Sequence, residues 1–201
     1  LNYINLRYQI LPSLKTEYYF GNLDNLYNKH YLGIEHNWKA DDFSLNSRLK
    51  YFNAQEDNDQ LNIDAQNIGL LETVKISNHS IGLGYQQIIG ESAYPLPDGF
   101  LPEPYFINWN ATGFFKQDEK SYHFIYSYDF KDYIPGLNAT VKYVYGDTFK
   151  AADGRENKES EANFIGNYAF QQPYLKGLAL QYLLIDYNVK HGTDFTENRF
   201  F

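Results

Sequence analysis

The chain has 201 residues, a formal net charge of −8 and a sequence pI near 5.0. That balance argues against a general nucleic-acid binder, which needs a basic patch for the phosphates. Cysteine is absent, which excludes disulfide scaffolds and thiolate chemistry, and the five histidines, at 30, 36, 79, 123 and 191, have no metal-ligand spacing.

Twenty Tyr and fifteen Phe against two Trp is a strand composition, because flat aromatic side chains suit a pleated surface. No apolar run approaches the ~20 residues of a membrane helix. A mean hydropathy of −0.56 is still compatible with a membrane barrel, whose strands are apolar only at alternate positions.

In chain order, period-2 alternation predicts strands over 3–10, 15–22, 27–39, 43–53, 67–76, 80–90, 121–130, 138–148, 161–170 and 179–190, with an eleventh from 197. No segment carries a 3.6-residue stripe behind a helix cap. In the first strand Arg7 and Gln9 alternate with Tyr8 and Ile10. In the fourth, Ser44, Asn46, Arg48 and Lys50 share a face opposite Phe43, Leu45, Leu49 and Tyr51. In the sixth, Gly82, Gly84 and Gln86 share the polar face, where small residues leave room for a segment folded inside. The stretch 121–147 is the plainest hairpin: Tyr122, Phe124, Tyr126 and Tyr128 lead into a turn at Pro135 and Gly136. Asn138, Thr140 and Lys142 then alternate with Ala139, Val141 and Tyr143.

Short connections at 11–14, 40–42, 77–79, 131–137 and 171–178 alternate with long polar ones at 53–66, 91–120 and 150–160. The tight connection at 23–26 is placed with the long ones. This asymmetry fits an all-β, transmembrane, antiparallel up-and-down barrel, whereas a Greek-key sandwich puts long loops at both ends. The stretch 91–120, rich in Pro and aromatics, is predicted to be the longest outer loop and to fold over something. Acids are expected at loop tips: Glu56, Asp57 and Asp59 in one, and Asp153, Glu156, Glu159 and Glu161 in or beside another.

Five stretches, "LKTEYYFGNLDNLYNKHYLGIEH" (14–36), "HSIGLGYQQIIGESAYP" (79–95), "YIPGLNATVKYVYGD" (133–147), "YLKGLALQ" (174–181) and "ENRFF" (197–201), occur in the order found in the OprD-type porins. The chain thus resembles these substrate-specific outer-membrane channels of Gram-negative bacteria. The resemblance implies that residues 1–201 are the C-terminal portion of a single barrel domain of 18 strands. Eleven strands is an odd count with two open edges, so a missing half is expected, and both chain ends look cut.

The implied activity is facilitated diffusion of small polar solutes such as carboxylates, amino acids or similar nutrients, with no enzyme chemistry, cofactor or metal. The implied partners are outer-membrane lipid and lipopolysaccharide and small polar or anionic solutes, with no nucleic acid and a monomer or homotrimer as the assembly. Turning the aromatic face outward puts Arg7, Arg48, Lys50 and Lys142 on the lumen side, and the resemblance adds Arg199; basic side chains there attract and order anions. Arg199 sits in "ENRFF", where the resembled porins carry an arginine of their basic ladder. Gln181 and Leu183 stand where many of them carry paired arginines, which weakens the expectation of strong carboxylate selectivity. Ser121 and His123 share a face, as any polar lumen wall would place them, and the nucleophile reading is set aside.

The competing reading is a secreted soluble β-sheet protein whose Tyr face holds a ligand such as a glycan. The two readings differ in where the aromatics fall. Lipid-facing aromatics gather in two belts with aliphatics between, whereas ligand-binding ones cluster in a patch.

Overall fold

The computed structural model describes residues 2–58, 61–95 and 111–201. Eleven strands follow one another: β1 (Asn2–Leu11), β2 (Leu14–Leu23), β3 (Tyr27–Ala40), β4 (Phe43–Glu56), β5 (Asp64–Ile76), β6 (His79–Gly90), β7 (Lys120–Asp129), β8 (Leu137–Lys150), β9 (Glu156–Ala169), β10 (Ala179–Val189) and β11 (Phe195–Phe200). Each pairs antiparallel with its sequence neighbour in a single sheet, and among the described residues β1 pairs only with β2 and β11 only with β10.

Cross-strand register carries the alternation across the whole sheet. Tyr122 opposes Tyr145, Phe124 opposes Tyr143 and Tyr126 opposes Val141 on one face; Ser121 opposes Gly146 and His123 opposes Val144 on the other. The first set is largely exposed and the second buried, which makes the aromatic face the outer one. Outward aromatics form two belts. Trp38 and Phe43 meet edge-on at 5.4 Å, Tyr128 and Phe130 at 4.7 Å, and Tyr168 and Phe170 at 5.2 Å near the short turns. Tyr85 and Tyr122 meet at 5.4 Å toward the other end. Leu32, Ile34, Leu49, Leu70, Ile81 and Val141 stand exposed between them, while on β7 and β8 the aromatics run on through Tyr126, Phe124 and Tyr143.

The strands outrun the alternation that predicts them. Connections expected over 53–66 and 150–160 shorten to 57–63 and 151–155, because β4 and β5, and β8 and β9, stay paired beyond the apolar band. On β4 and β5 the outer face turns polar there, at Asn53, Gln55 and Gln66, while the inner face turns apolar, and on β9 both faces are polar, at Asn157, Lys158 and Glu159, so the outward-apolar signal vanishes while the ladder continues. At the opposite end 130–136 and 170–178, the latter with a single 3-10 turn at Pro173–Leu175, are longer than 151–155. Loop length therefore distinguishes the two ends mainly through the β6–β7 connection, 91–119. The part of the expected outer loop at 96–110 lies outside the described residues.

One end of the inner face is largely apolar, with Lys29 and Asn67 buried among its rings. Tyr19, Tyr31, Phe52, Ala54, Ala65 and Ile88 are buried there against Tyr94 and Phe115 of the β6–β7 connection. Tyr31 and Phe52 lie 4.6 Å apart, Phe52 and Tyr94 5.7 Å, and Tyr94 and Phe115 5.9 Å. At about 1.5–3 kcal/mol for each large apolar side chain buried, this cluster holds the connection inside the curve of the sheet.

Candidate pore wall

The inner face carries two polar regions on opposite flanks of this cluster. The first lies on β1 to β4. Register puts Arg7, Glu17, Gly33 and Lys50 in one row and Lys15, Glu35 and Arg48 in the next. Lys15, Glu17, Tyr31, Glu35, Arg48 and Lys50 line a cleft of about 60 Å³. Arg7 Nε reaches Glu17 Oε1 at 2.6 Å, and Lys15 Nζ reaches Glu35 Oε2 at 2.6 Å. Glu35 also accepts from Asn37 and Asn46, each at 3.1 Å. Four cations against two carboxylates leave the region with a net positive charge, graded rather than bare. Lys39 and Lys75 share the inner face nearer the turns and oppose Ser44 from either side. The parity that located Arg48 would also have located Lys15, Lys39 and Lys75, had it been carried along every strand.

The second region is acidic and covered. Glu159 and Glu161, expected at a loop tip, stand on β9 facing inward and are fully buried, as is Glu119 just before β7. They are buried because residues 111–119 lie on them. Thr112 donates to Glu161 Oε2 through its backbone N at 2.9 Å and its hydroxyl at 2.8 Å, and Asn163 Nδ2 donates to Glu161 Oε1 at 2.9 Å. Lys116 Nζ and the Tyr187 hydroxyl both bind Glu159. Lys116 N donates to Glu119 Oε2 at 3.0 Å, and Gln86 Nε2 donates to the Phe114 carbonyl at 2.9 Å. Gly146 leaves the space this needs: a Cβ there would overlap the Glu119 carboxyl and come 2.9 Å from the Phe114 ring. Burial, followed by the neighbouring Glu159 carboxylate, pushes the Glu119 carboxyl up to about 9, against the lowering effect of Lys116.

Of the five basic residues expected in the lumen, all face inward, but the structure does not bring them together. Arg48 and Lys50 share the cleft and Arg7 stands beside it. Lys142 is on β8, opposite Ile125 and Asn163, with three strands between it and β4. Arg199, on β11, is forked to Glu197 of its own strand, Nε to Oε1 at 2.6 Å and Nη2 to Oε2 at 2.8 Å. It opposes Leu183, while Gln181 Nε2 donates to Asn167 Oδ1 at 2.6 Å. Ser121 Oγ lies 3.1 Å from His123 Nε2, both buried in the wall near Phe114. Among the described residues no group of three His, Asp or Glu is arranged to hold a metal ion.

An antiparallel meander with lipid-type belts outside and charged rows inside defines the wall of a membrane β-barrel. The family model for the OprD family of outer-membrane porins matches residues 1–201, so the chain belongs to that family and to the bacterial outer membrane. The soluble glycan-binding reading falls with that assignment. Comparison with curated proteins gave no significant match. Among solved structures, OccAB4 of Acinetobacter baumannii is 74% identical with a TM-score of 0.94, over 99% of this chain and 51% of that one. OpdL of Pseudomonas aeruginosa is 34% identical with a TM-score of 0.91, over 98% of this chain and 56% of that one. OpdQ of the same organism is 31% identical with a TM-score of 0.92, over 98% and 54%. The chain thus spans about half the length of these relatives.

Proposed function

We propose that this chain forms part of the wall of an outer-membrane channel for small polar solutes, with a preference for anionic and zwitterionic ones such as carboxylates and amino acids. The protein does no chemistry on them; a closed barrel is completed by strands beyond the half that this chain spans in its relatives. The observation that carries the reading is the cleft of Lys15, Arg48 and Lys50 with Glu17 and Glu35 on an inner face whose other flank is filled. A wall with excess cations attracts a carboxylate, while interspersed acids hold an ammonium group and keep the anion from binding too tightly to leave. Charge on such a wall governs passage more than charge in the loops, because loop charges are screened within about 8 Å at physiological salt.

The test is the reversal potential of the full-length protein in a planar bilayer under a salt gradient. Arg48→Gln with Lys50→Gln lowers the anion preference, and adding Lys142→Gln lowers it less, since Lys142 stands apart from the cleft. An unchanged reversal potential in the triple variant overturns the assignment and makes these side chains structural wall charges.

A further inference from the structure

Beyond the belt at Tyr85 and Tyr122, the strands β8 to β10 turn three lysines toward the membrane side of the wall. Tyr145 opposes Tyr122 and is the last outward aromatic of β8. Just past it Asp147, Lys150, Glu156, Lys158 and Lys190 surround an open hollow of about 440 Å³ with Tyr145 at its edge. Lys190 N donates to the Lys158 carbonyl at 3.0 Å, so these two residues stand side by side. Lys150 reaches the same face through a bulge. Gly146 opposes Glu159 and Phe149 opposes Asn157, so Asp147 and Thr148 together face Lys158. Unbroken alternation from the inward Gly146 would send Lys150 inward as well; the extra residue reverses the parity and puts it outside. Thr148 takes a φ of 67° in this bulge, a conformation that β-branched residues rarely adopt. Backbone strain of this kind gathers at ligand sites.

The three lysines are exposed, and none makes an ion pair or a side-chain hydrogen bond among the described residues, although Asp147 and Glu156 line the same hollow. Lys120, opposite Asp147 on β7, is likewise unpaired among them. Asp147 Oδ1 is shut off from solvent and has no hydrogen-bond partner there. Cations held apart from neighbouring acids call for an anion, and the orphan carboxylate oxygen calls for a donor carried by the same ligand. A phosphate meets the ammonium groups, and a sugar hydroxyl beside it donates to Asp147 and Glu156. Toward the apolar band the outward residues of β9 are small: Ser160 opposes Tyr145 and Ala162 opposes Tyr143, which leaves room for an acyl chain against the rings. The hollow lies at the end that carries the long β6–β7 connection, the outer side of a barrel whose periplasmic turns are short. Phosphate, sugar and acyl chain in this order along the wall describe a phosphorylated glycolipid at headgroup level, where basic clusters recognise lipid phosphates.

We propose that the hollow bordered by Lys150, Lys158 and Lys190 is a binding site for the phosphorylated headgroup of an outer-leaflet glycolipid. The site is on the membrane side of the wall, so it stands or falls separately from the channel reading.

The experiment titrates fluorescent lipopolysaccharide onto the full-length protein, delipidated in detergent. Its arms are intact lipopolysaccharide, the same material stripped of its phosphates, and inorganic phosphate as competitor. Removing the phosphates weakens binding at least about tenfold, and so does Lys150→Gln with Lys158→Gln and Lys190→Gln. Arginine at the same three positions keeps the affinity, and Lys131→Gln with Lys176→Gln, at the short turns, leaves it unchanged. Heat-modifiable gel migration verifies that each variant is a folded barrel. If the triple Gln variant does not assemble, Lys158→Glu alone reads the same site, with a loss of at least about fivefold expected. The proposal is overturned by equal binding of intact and dephosphorylated lipid, by variants of the three lysines that bind as tightly as the parent, or by an equal loss from the Lys131 and Lys176 variant. Displacement of the lipid by equimolar inorganic phosphate overturns it in favour of a free-anion site.

Discussion

The two flanks of the inner face use carboxylates in opposite ways. On β2 and β3, Glu17 and Glu35 stand among four cations beside an open cleft, paired with long side chains that are themselves exposed, Arg7 at 69% and Lys15 at 55%. On β9, Glu159 and Glu161 are sealed under residues 111–119, Glu161 held by Thr112 and Asn163 and Glu159 by Tyr187 and the half-exposed Lys116. Exposed pairs of the first kind are worth well under about 1 kcal/mol each, because water screens them and ordering long side chains costs entropy. They grade the field in the cleft. Buried hydrogen-bonded carboxylates of the second kind hold backbone in place. A solute-facing acid and an anchoring acid look alike in sequence. What separates them is what lies on top.

That contrast can be broken at several points. The largest effect is expected at Gly146, where Val would displace the Glu119 carboxyl and the Phe114 ring; overpacking here should cost about 3 kcal/mol. The lower melting temperature should be accompanied by new proteolytic cleavage between 111 and 119. Next, Glu161→Ala removes the acceptor for both Thr112 donors and should cost about 1.5–3 kcal/mol, loosening the same segment with the sheet intact by circular dichroism. Third is a pH effect. The Glu119 carboxyl is raised when docked, so the docked state binds a proton that the released state, with an ordinary glutamate, gives up. Docking is strongest below the ordinary glutamate range, weakens steadily as pH rises toward about 9, and Glu119→Gln should flatten that slope in hydrogen exchange of 111–119. The smallest change in stability, under about 1 kcal/mol, is expected for Glu35→Gln on the open flank. Its effect belongs to the current instead: removing an acid beside Lys15 and Arg48 should raise anion preference, read as a reversal-potential shift opposite to that of Arg48→Gln.

Most of the sheet was legible because lipid imposes alternation. All eleven strands, the outward set and the inward facing of Arg7, Arg48, Lys50 and Lys142 follow from parity, whereas Arg199 is placed by the family resemblance of its motif. Parity loses its force where lipid ends. Toward its loop end both faces of β9 are polar, so Glu159 and Glu161 read as loop acids when they are wall acids. It also cannot distinguish a wet inner face from a covered one. Tyr19, Tyr31 and Phe52 break the polar-inside pattern at one end, and that break was the available sign that something apolar packs there. The glycines of β6 suggest room for a folded-in segment, but a Cβ at Gly82 would meet the wall side chains Ile125 and Leu71, and the glycine that gives room to 111–119 is Gly146 on β8. Which wall would receive its polar contacts depended on pairing across distant strands, which sequence spacing does not encode.

The inner aromatic cluster also has a consequence for assembly. Because each strand pairs with its sequence neighbour, hairpins can add one after another at low cost in chain entropy. The step from β6 to β7 is different, since it must close the excursion 91–119 where most other steps close a few residues. Loop-closure entropy makes that step costlier by about 2 kcal/mol than a tight turn. The compensating contacts of Tyr94 and Phe115 with Tyr31, Phe52 and Ile88 exist only once β2 to β6 have rolled into a curve. The segment thereby serves as a checkpoint on curvature: a sheet that stays flat leaves Phe115 unhoused, and the strands after the excursion join a template that has already taken the shape of a barrel.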